Sequence, residues 1–125
     1  MSLILIVEDN ENNLELLRDV LRFKGYETIE ATTGTEGVRL ALERKPALVL
    51  MDIQLEDISG IEALAQIRAN PATTDMPVVA VSASVMPEDQ QKIVASGFNA
   101  YVRKPINVKS FMEVVEGFAG KPEAG

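Results

Sequence analysis

The sequence predicts an α/β fold in which five parallel strands alternate with five helices along one domain of 125 residues. Three observations predict this fold. Short runs of apolar and β-branched residues recur along the chain, and each run is followed by a segment with apolar residues at helical spacing. The most apolar runs lack the alternation of half-exposed strands. Together these features are typical of a parallel sheet that helices cover on both faces.

The first repeat is marked by a continuous apolar run and a glycine stop. LILIV (3–7) predicts a buried strand. Apolar residues then follow helical spacing over 14–24, and Gly25 is suited to the left-handed backbone that ends many helices. ETIEA (27–31) alternates polar and apolar residues, so we expect the second strand to be less buried.

Capping residues and prolines delimit the next two helices. Thr33 is expected to cap the second helix, which must end before Pro46 because a residue before proline avoids helical backbone. ALVLM (47–51) predicts the third strand. Ser59 is followed three residues later by a glutamate, a capping-box pattern for a third helix that should end near Pro71.

The last two repeats are shorter. VVAVS (78–82) predicts the fourth strand, a short helix should reach Gly97, and AYVRK (100–104) predicts the fifth strand. We expect a frayed tail over 120–125 and a folded core over about 3–119. The last helix is indicated by apolar residues at spacings of three, four and seven: Phe111, Val114, Val115 and Phe118.

The apolarity of the strands predicts their order in the sheet. The first, third and fourth strands are the most apolar and belong in the middle, whereas ETIEA suits an edge. The order 2-1-3-4-5 meets this requirement and keeps every crossover right-handed, as in doubly wound sheets.

Composition excludes several classes of function. The net charge of −7 argues against a broad nucleic-acid-binding face, which needs a basic patch. The absence of histidine excludes a serine–histidine triad, and the absence of cysteine excludes disulfides and thiolate metal sites. No apolar run approaches the roughly 20 residues of a membrane span. We therefore expect a cytoplasmic protein without membrane insertion.

Polar residues follow four of the five predicted strands. Glu8 and Asp9 come after the first strand, Asp52 after the third, Ser82 ends the fourth, and Lys104 ends the fifth. Open α/β sheets bind ligands beyond the carboxyl ends of their strands, at the point where the strand order reverses. We therefore expect these side chains to meet at one rim.

Each of these residues has a structural explanation when it is taken alone. Glu8 and Asp9 could cap the first helix, Asp52 could be a loop acid that faces solvent, and Ser82 could simply be structural. Convergence of all five at one rim favours a functional site.

The residue types indicate phosphoryl chemistry with a hard metal. Three carboxylates offer the oxygen ligands that Mg²⁺ prefers, and the metal and Lys104 would offset their repulsion. Asp52 projects singly from a central strand and is the best candidate for a nucleophile that forms an aspartyl-phosphate. The sequence has no glycine-rich Walker loop, so a nucleotide is not the expected donor.

At this point the motifs match a known family. LIVEDN (5–10), LVLMDIQL (48–55) with Gly60, VVAVSA (78–83) and AYVRKP (100–105) resemble the receiver domain of two-component response regulators. The resemblance covers about residues 3–119 and implies the flavodoxin-like fold of CheY-like proteins. The VEDNxxN and MDIQ motifs are typical of stand-alone regulators of the DivK kind and of hybrid-kinase receivers.

The resemblance assigns roles to single residues. It implies that Asp52 is the phosphoacceptor and that Mg²⁺, or Mn²⁺ in its place, is held by Asp52, by Glu8 and Asp9, and by the backbone carbonyl of Ile53. It implies that the Ser82 hydroxyl bonds the phosphoryl group and that Lys104, followed by a cis proline peptide, pairs with the phosphate. It also implies that Tyr101 is the aromatic switch residue.

The resemblance also implies partners. A histidine kinase or a histidine phosphotransfer protein would donate the phosphoryl group. The surface of the fourth helix, fifth strand and fifth helix would then change shape and control binding to a downstream protein. The chain would not be an enzyme toward a separate substrate, and we expect a monomer or a weak, phosphorylation-dependent dimer.

The sequence disfavours three other functions. A Mg²⁺ phosphatase resembling the haloacid dehalogenase family would need an acid where Gln54 stands. A receiver-like module that works without phosphate usually lacks the aspartate or the lysine, and both are present. A flavin carrier on this fold would need a hydroxyl-rich loop after the first strand.

The sequence departs from the family pattern at Glu56, where a proline is usual. Glutamate makes the loop less rigid and adds negative charge, so we expect slightly altered rates of phosphorylation or dephosphorylation. Rate measurements on Glu56→Pro test this, and rates equal to wild type would contradict it. Gln54 and Ser84 resemble positions that tune the lifetime of the phosphoryl group in the family.

Overall fold

The computed structural model describes residues 2–83 and 87–120, and in these residues five strands alternate with five helices. None of the described helices has the length and apolarity that crossing a bilayer would require. The strands are β1 (Leu3–Val7), β2 (Glu27–Ala31), β3 (Leu48–Asp52), β4 (Val78–Ser82) and β5 (Ala100–Arg103). The helices are α1 (Glu11–Phe23), α2 (Gly34–Arg44), α3 (Gly60–Ala69), α4 (Pro87–Ala95) and α5 (Val108–Ala119).

The sheet is parallel throughout, and its order is β2-β1-β3-β4-β5, which confirms the predicted α/β fold and strand order. Two strand boundaries differ from prediction. β3 starts and ends one residue later than 47–51, because Asp52 still pairs with Val81 of β4. β5 ends at Arg103, so Lys104 lies just beyond the strand rather than within it.

Alternate residues of each central strand point into two separate cores. In β1, Ile4 and Ile6 face α1 and α5, whereas Leu5 and Val7 face α2, α3 and α4. A strand that is covered on both faces needs apolar residues at every position. This requirement explains why β1, β3 and β4 are continuous apolar runs.

The predicted helix boundaries are largely confirmed. The side chains of Thr33 and Ser59 accept the amide hydrogens of Glu36 and Glu62, so both residues are N-caps. Gly25 has a φ of 101° after α1, as its predicted role requires. In α5, the side chains buried in the core are Phe111, Met112 and Val115, while Phe118 is 37% exposed. The predicted frayed tail beyond residue 120 lies outside the described residues.

Arg68 connects α3 to the edge of the sheet at which β4 and β5 begin. Its guanidinium lies at the end of α3 and spans to the segments that precede β4 and β5. It donates hydrogen bonds to the carbonyl oxygens of Thr74, Met76 and Gly97 and to Oδ1 of Asn99. The planar fork of arginine can reach several acceptors at once, so one side chain sets where two strands begin.

Lys45 provides a test of backbone strain, because its φ of 45° and ψ of 62° place a non-glycine residue in the left-handed region after α2. Replacement by glycine relieves that strain. We expect Lys45→Gly to raise the free energy of unfolding by about 0.5 to 1 kcal/mol in urea denaturation.

Lys24 is a matched control, since it is an exposed lysine at the end of α1 with right-handed backbone, φ −80° and ψ −4°. Lys24→Gly should lower the free energy of unfolding by about 0.5 to 1 kcal/mol. Changes of the same sign in both variants would contradict the strain argument.

Candidate functional site

The rim at the carboxyl ends of the strands brings together the acids predicted from sequence. Glu8 and Asp9 follow β1, and Asp52 is the last residue of β3. Each of the three offers a carboxylate oxygen, and these oxygens lie within 4.8 Å of one another. Ser82 ends the neighbouring strand, directly after the residue that pairs with Asp52. Lys104 reaches this group from the end of β5.

Burial distinguishes this group from ordinary surface acids. Glu8 is 1% exposed and Asp52 is 5% exposed. Ionised carboxylates are seldom this buried, because they lose hydration unless a cation or hydrogen bonds compensate. The site therefore needs positive charge.

Lys104 supplies part of that charge. Its Nζ lies 2.8 Å from Oε1 of Glu8 and 3.3 Å from Oδ2 of Asp52, so one ammonium bridges acids from β1 and β3. Burial by itself would lower the pKa of Lys104, but Glu8 and Asp52 outweigh that effect and raise it. Lys104 is therefore held in its charged form.

One ammonium does not compensate the whole group. Burial and, after it, the neighbouring Asp52 raise the pKa of Glu8 to about 7, whereas Lys104 opposes the shift. Oε1 of Glu8 is buried and receives no well-aligned hydrogen bond from any described residue, although Nζ lies close to it. A buried carboxylate oxygen without a donor, beside two further acids, fits a second cation.

Glu8 and Asp9 are not the caps of α1, which was the structural alternative for them. The side chain of Asn10 caps the helix by accepting the amide hydrogen of Asn13 at 3.0 Å. Glu8 instead points inward, and its Oε2 accepts the amide of Asn10 at 3.4 Å. The two acids are thus available to the rim.

The loop after β3 closes against Asp52. Oδ1 of Asp52 accepts the amide of Gln54 at 3.0 Å, and the carbonyl of Ile53 accepts the amide of Gly60 at 2.9 Å. A Cβ on Gly60 would lie 2.4 Å from the carbonyl oxygen of Asp52. Only glycine allows the start of α3 to approach the site this closely. The sequence motif contained Gly60 but did not reveal this reason.

Tyr101 is half-buried on β5 and borders two surface grooves. A groove of about 460 Å³ runs along β5 and α5, past Lys104 and Pro105, whose peptide bond is cis as expected. A second groove of about 430 Å³ lies between α4 and β5 and includes the exposed Val94. The predicted switch residue is therefore part of the surface expected to change, and it shares a groove with Lys104 of the site.

Sequence reasoning missed Asp57. Its carboxylate accepts hydrogen bonds from the amides of Gly34 and Thr35 and from the Thr35 hydroxyl. These bonds lower the pKa of Asp57 well below its usual range, and the bond from the Thr35 hydroxyl contributes most. The partners are 22 and 23 residues away, so no local pattern indicates the contact. Gln54 and Glu56 are exposed in the same loop, and Ser84 lies outside the described residues.

Comparison with known proteins agrees with this geometry. The family model of the response regulator receiver domain matches residues 4–116. The polar-differentiation response regulator DivK of Brucella anthropi is 42% identical over 117 residues, which cover 94% of this chain and 95% of that protein. DivK of Brucella ovis has the same identity and coverage.

Solved structures of receivers have the same architecture. The receiver domain of a sensor histidine kinase from Pseudomonas aeruginosa has a TM-score of 0.89 and 28% identity, over 95% of this chain and 98% of that chain, and it holds a magnesium ion in its active site cleft. The Mn²⁺-bound form of response regulator Rcp1 has a TM-score of 0.76 and 28% identity, over 94% and 91%. The family match, the identity to DivK and the shared fold show that this chain belongs to the response regulator receiver domain family of two-component signalling.

Proposed function

We propose that the chain accepts a phosphoryl group on Asp52 from a phosphohistidine of a histidine kinase or phosphotransfer protein, and that this modification changes its binding to a downstream protein. The observation that carries the proposal is the buried Asp52 carboxylate, 3.3 Å from the Lys104 ammonium, within a cluster of three acids. Membership in the receiver family supports the same chemistry.

The donor set fits Mg²⁺, or Mn²⁺ in its place. Carboxylate oxygens of Glu8, Asp9 and Asp52 and the carbonyl of Ile53 would hold the ion, directly or through water. When bound, the ion supplies positive charge that offsets the acids and the incoming phosphoryl oxygens. The magnesium and manganese bound in the two similar structures support this assignment.

In the proposed transfer, an Asp52 carboxylate oxygen forms a new bond to phosphorus, and the bond between phosphorus and the partner's imidazole nitrogen breaks. The imidazole keeps the electron pair of the broken bond and leaves with its partner. Lys104 neutralises the phosphoryl oxygens, and the Ser82 hydroxyl donates a hydrogen bond to one of them. The donor histidine belongs to the partner, which agrees with a chain that has none.

The proposed output is a shift between two states of the surface formed by α4, β5 and α5. Ser82 moves toward the phosphoryl group, and Tyr101 turns inward into the space that is vacated. Tyr101 borders both grooves of this surface, so its rotation would change both at once. The readout is protein binding rather than turnover of a separate substrate.

Covalent modification tests Asp52 as the phosphoacceptor. Incubation with Mg²⁺ and acetyl phosphate should add one labile phosphoryl group to the wild type, as measured by intact mass. Asp52→Asn should remain unmodified, because an amide is not a nucleophile toward phosphorus. No adduct on the wild type, while a control receiver reacts, would favour a module that acts without phosphate.

The buried Glu8 makes the stability of the metal-free protein depend on pH. The pKa of Glu8 lies at about 7 in the folded chain against its ordinary 4.5, so the folded state binds the extra proton between these values. Stability should therefore fall as pH rises through this range. Glu8→Gln should raise the free energy of unfolding by about 2 kcal/mol near pH 8 and change it little near pH 4.

Urea denaturation in the presence of a chelator measures this effect. Glu11→Gln, which removes an exposed acid at the start of α1, is the matched control and should change stability little at either pH. Equal effects of Glu8→Gln on the free energy of unfolding at both pH values would contradict the assignment of Glu8 as a buried acid whose charged form is unfavourable.

A further inference from the structure

The loop between β3 and α3 contributes backbone groups to the proposed site. The amide of Gln54 donates to Oδ1 of Asp52 at 3.0 Å, and the carbonyl of Ile53 belongs to the proposed metal ligands. The position of these two groups depends on what holds the loop. At its inner end the loop is closed by the hydrogen bond between the Ile53 carbonyl and the Gly60 amide.

The outer half of the loop is attached to a different element, the start of α2. Oδ1 of Asp57 accepts the amide of Gly34 at 2.8 Å. Oδ2 accepts the amide of Thr35 at 2.9 Å and its hydroxyl at 2.6 Å. Both carboxylate oxygens are thus occupied by donors from one helix turn, and hydrogen bonds to an ionised acceptor are stronger than those between neutral groups.

A second contact, independent of charge, joins the same two segments. A Cβ on Gly34 would lie 2.5 Å from Cγ1 of Ile58 and 3.2 Å from its carbonyl oxygen. The loop backbone therefore rests directly on the first residue of α2. Leu55 and Ile58 also pack on the core beneath α2 and α3.

We propose that Asp57 is a positioning residue, which clamps the β3–α3 loop to the N-terminus of α2 and so holds the Ile53 carbonyl and the Gln54 amide in place for phosphoryl transfer. The consequence for the reaction rests on the proposed function. Asp57 itself does not touch the reacting groups. It acts through the loop, so its loss should affect metal binding more than the chemical capacity of Asp52.

The simpler explanation is that Asp57 only stabilises α2. That helix already has its own cap, since the Thr33 hydroxyl oxygen accepts the amide of Glu36 at 3.1 Å. Thr33→Ala therefore weakens the start of the same helix and leaves the Asp57 clamp in place. A comparison of Asp57→Ala with Thr33→Ala separates positioning of the loop from stability of the helix.

The first measurement is amide hydrogen exchange in the metal-free protein, under conditions where each variant is fully folded. In Asp57→Ala, the amides of Gln54 and Gly60 should exchange about tenfold faster than in wild type, because local opening of the loop becomes easier. In Thr33→Ala these two amides should match wild type, while that of Glu36 exchanges faster.

The second measurement is the Mg²⁺ dependence of phosphorylation by acetyl phosphate. Asp57→Ala should need about three- to tenfold more Mg²⁺ for half-maximal rate, and its rate at saturating Mg²⁺ should stay within about twofold of wild type. Thr33→Ala should match wild type in both quantities. Asp57→Asn keeps one acceptor oxygen, so its Mg²⁺ requirement should lie between those of Asp57→Ala and wild type.

The outcomes are distinguishable. Unchanged exchange at Gln54 and Gly60 in Asp57→Ala, or equal Mg²⁺ requirements for Asp57→Ala and Thr33→Ala, would overturn the proposal. If the wild type takes up no phosphoryl group, the proposed function and the catalytic consequence of the clamp both fail. The exchange experiment still decides whether Asp57 holds the loop. Asp57→Asn replaces Asp57→Ala in both measurements if the latter does not fold.

Discussion

The bridge from Lys104 to two buried acids is the interaction on which the rest of the site depends. Glu8 follows β1 and Asp52 ends the adjacent β3, so the parallel topology brings these two acids together. The Lys104 ammonium reaches both of them from the far side of β4. It compensates only part of their charge, as the raised pKa of Glu8 indicates. The unmet part is negative charge, which favours the second cation that we propose for this site.

The same bridge links the site to the protein's surface. Lys104 and Tyr101 are separated by only two residues, and both line the groove beside α5. A change in the charge of Asp52, which Lys104 faces, therefore acts on the same short segment that carries Tyr101. Packed strands do not deform continuously, so such a change favours a second discrete arrangement over a gradual one. This proximity supports the proposal that modification of Asp52 changes the surface formed by α4, β5 and α5.

Close backbone contacts hold the opposite side of the site. Gly60, at the start of α3, lies against the carbonyl oxygen of Asp52. Gly34, at the start of α2, lies against Ile58 of the β3–α3 loop. Glycine loses more conformational entropy on folding than other residues, and the buried Glu8 is unfavourable without metal. The residues around Asp52 therefore favour a defined geometry over stability. The two apolar cores, one on each face of the sheet, provide most of the stability of the fold.

The sequence by itself determined the α/β class, the strand order, the helix caps at Thr33 and Ser59, and the convergence of Glu8, Asp9, Asp52, Ser82 and Lys104. These features depend on periodicity and on which residues follow each strand, and both are local. Tertiary structure alone decided that Glu8 turns inward toward Lys104 and does not cap α1, that Arg68 joins the starts of two strands, and that Asp57 reaches α2. Several residues in the sequence have side chains that could cap a helix or join two segments by hydrogen bonds. The choice depends on distances between segments far apart in the chain, which exist only once the sheet has formed.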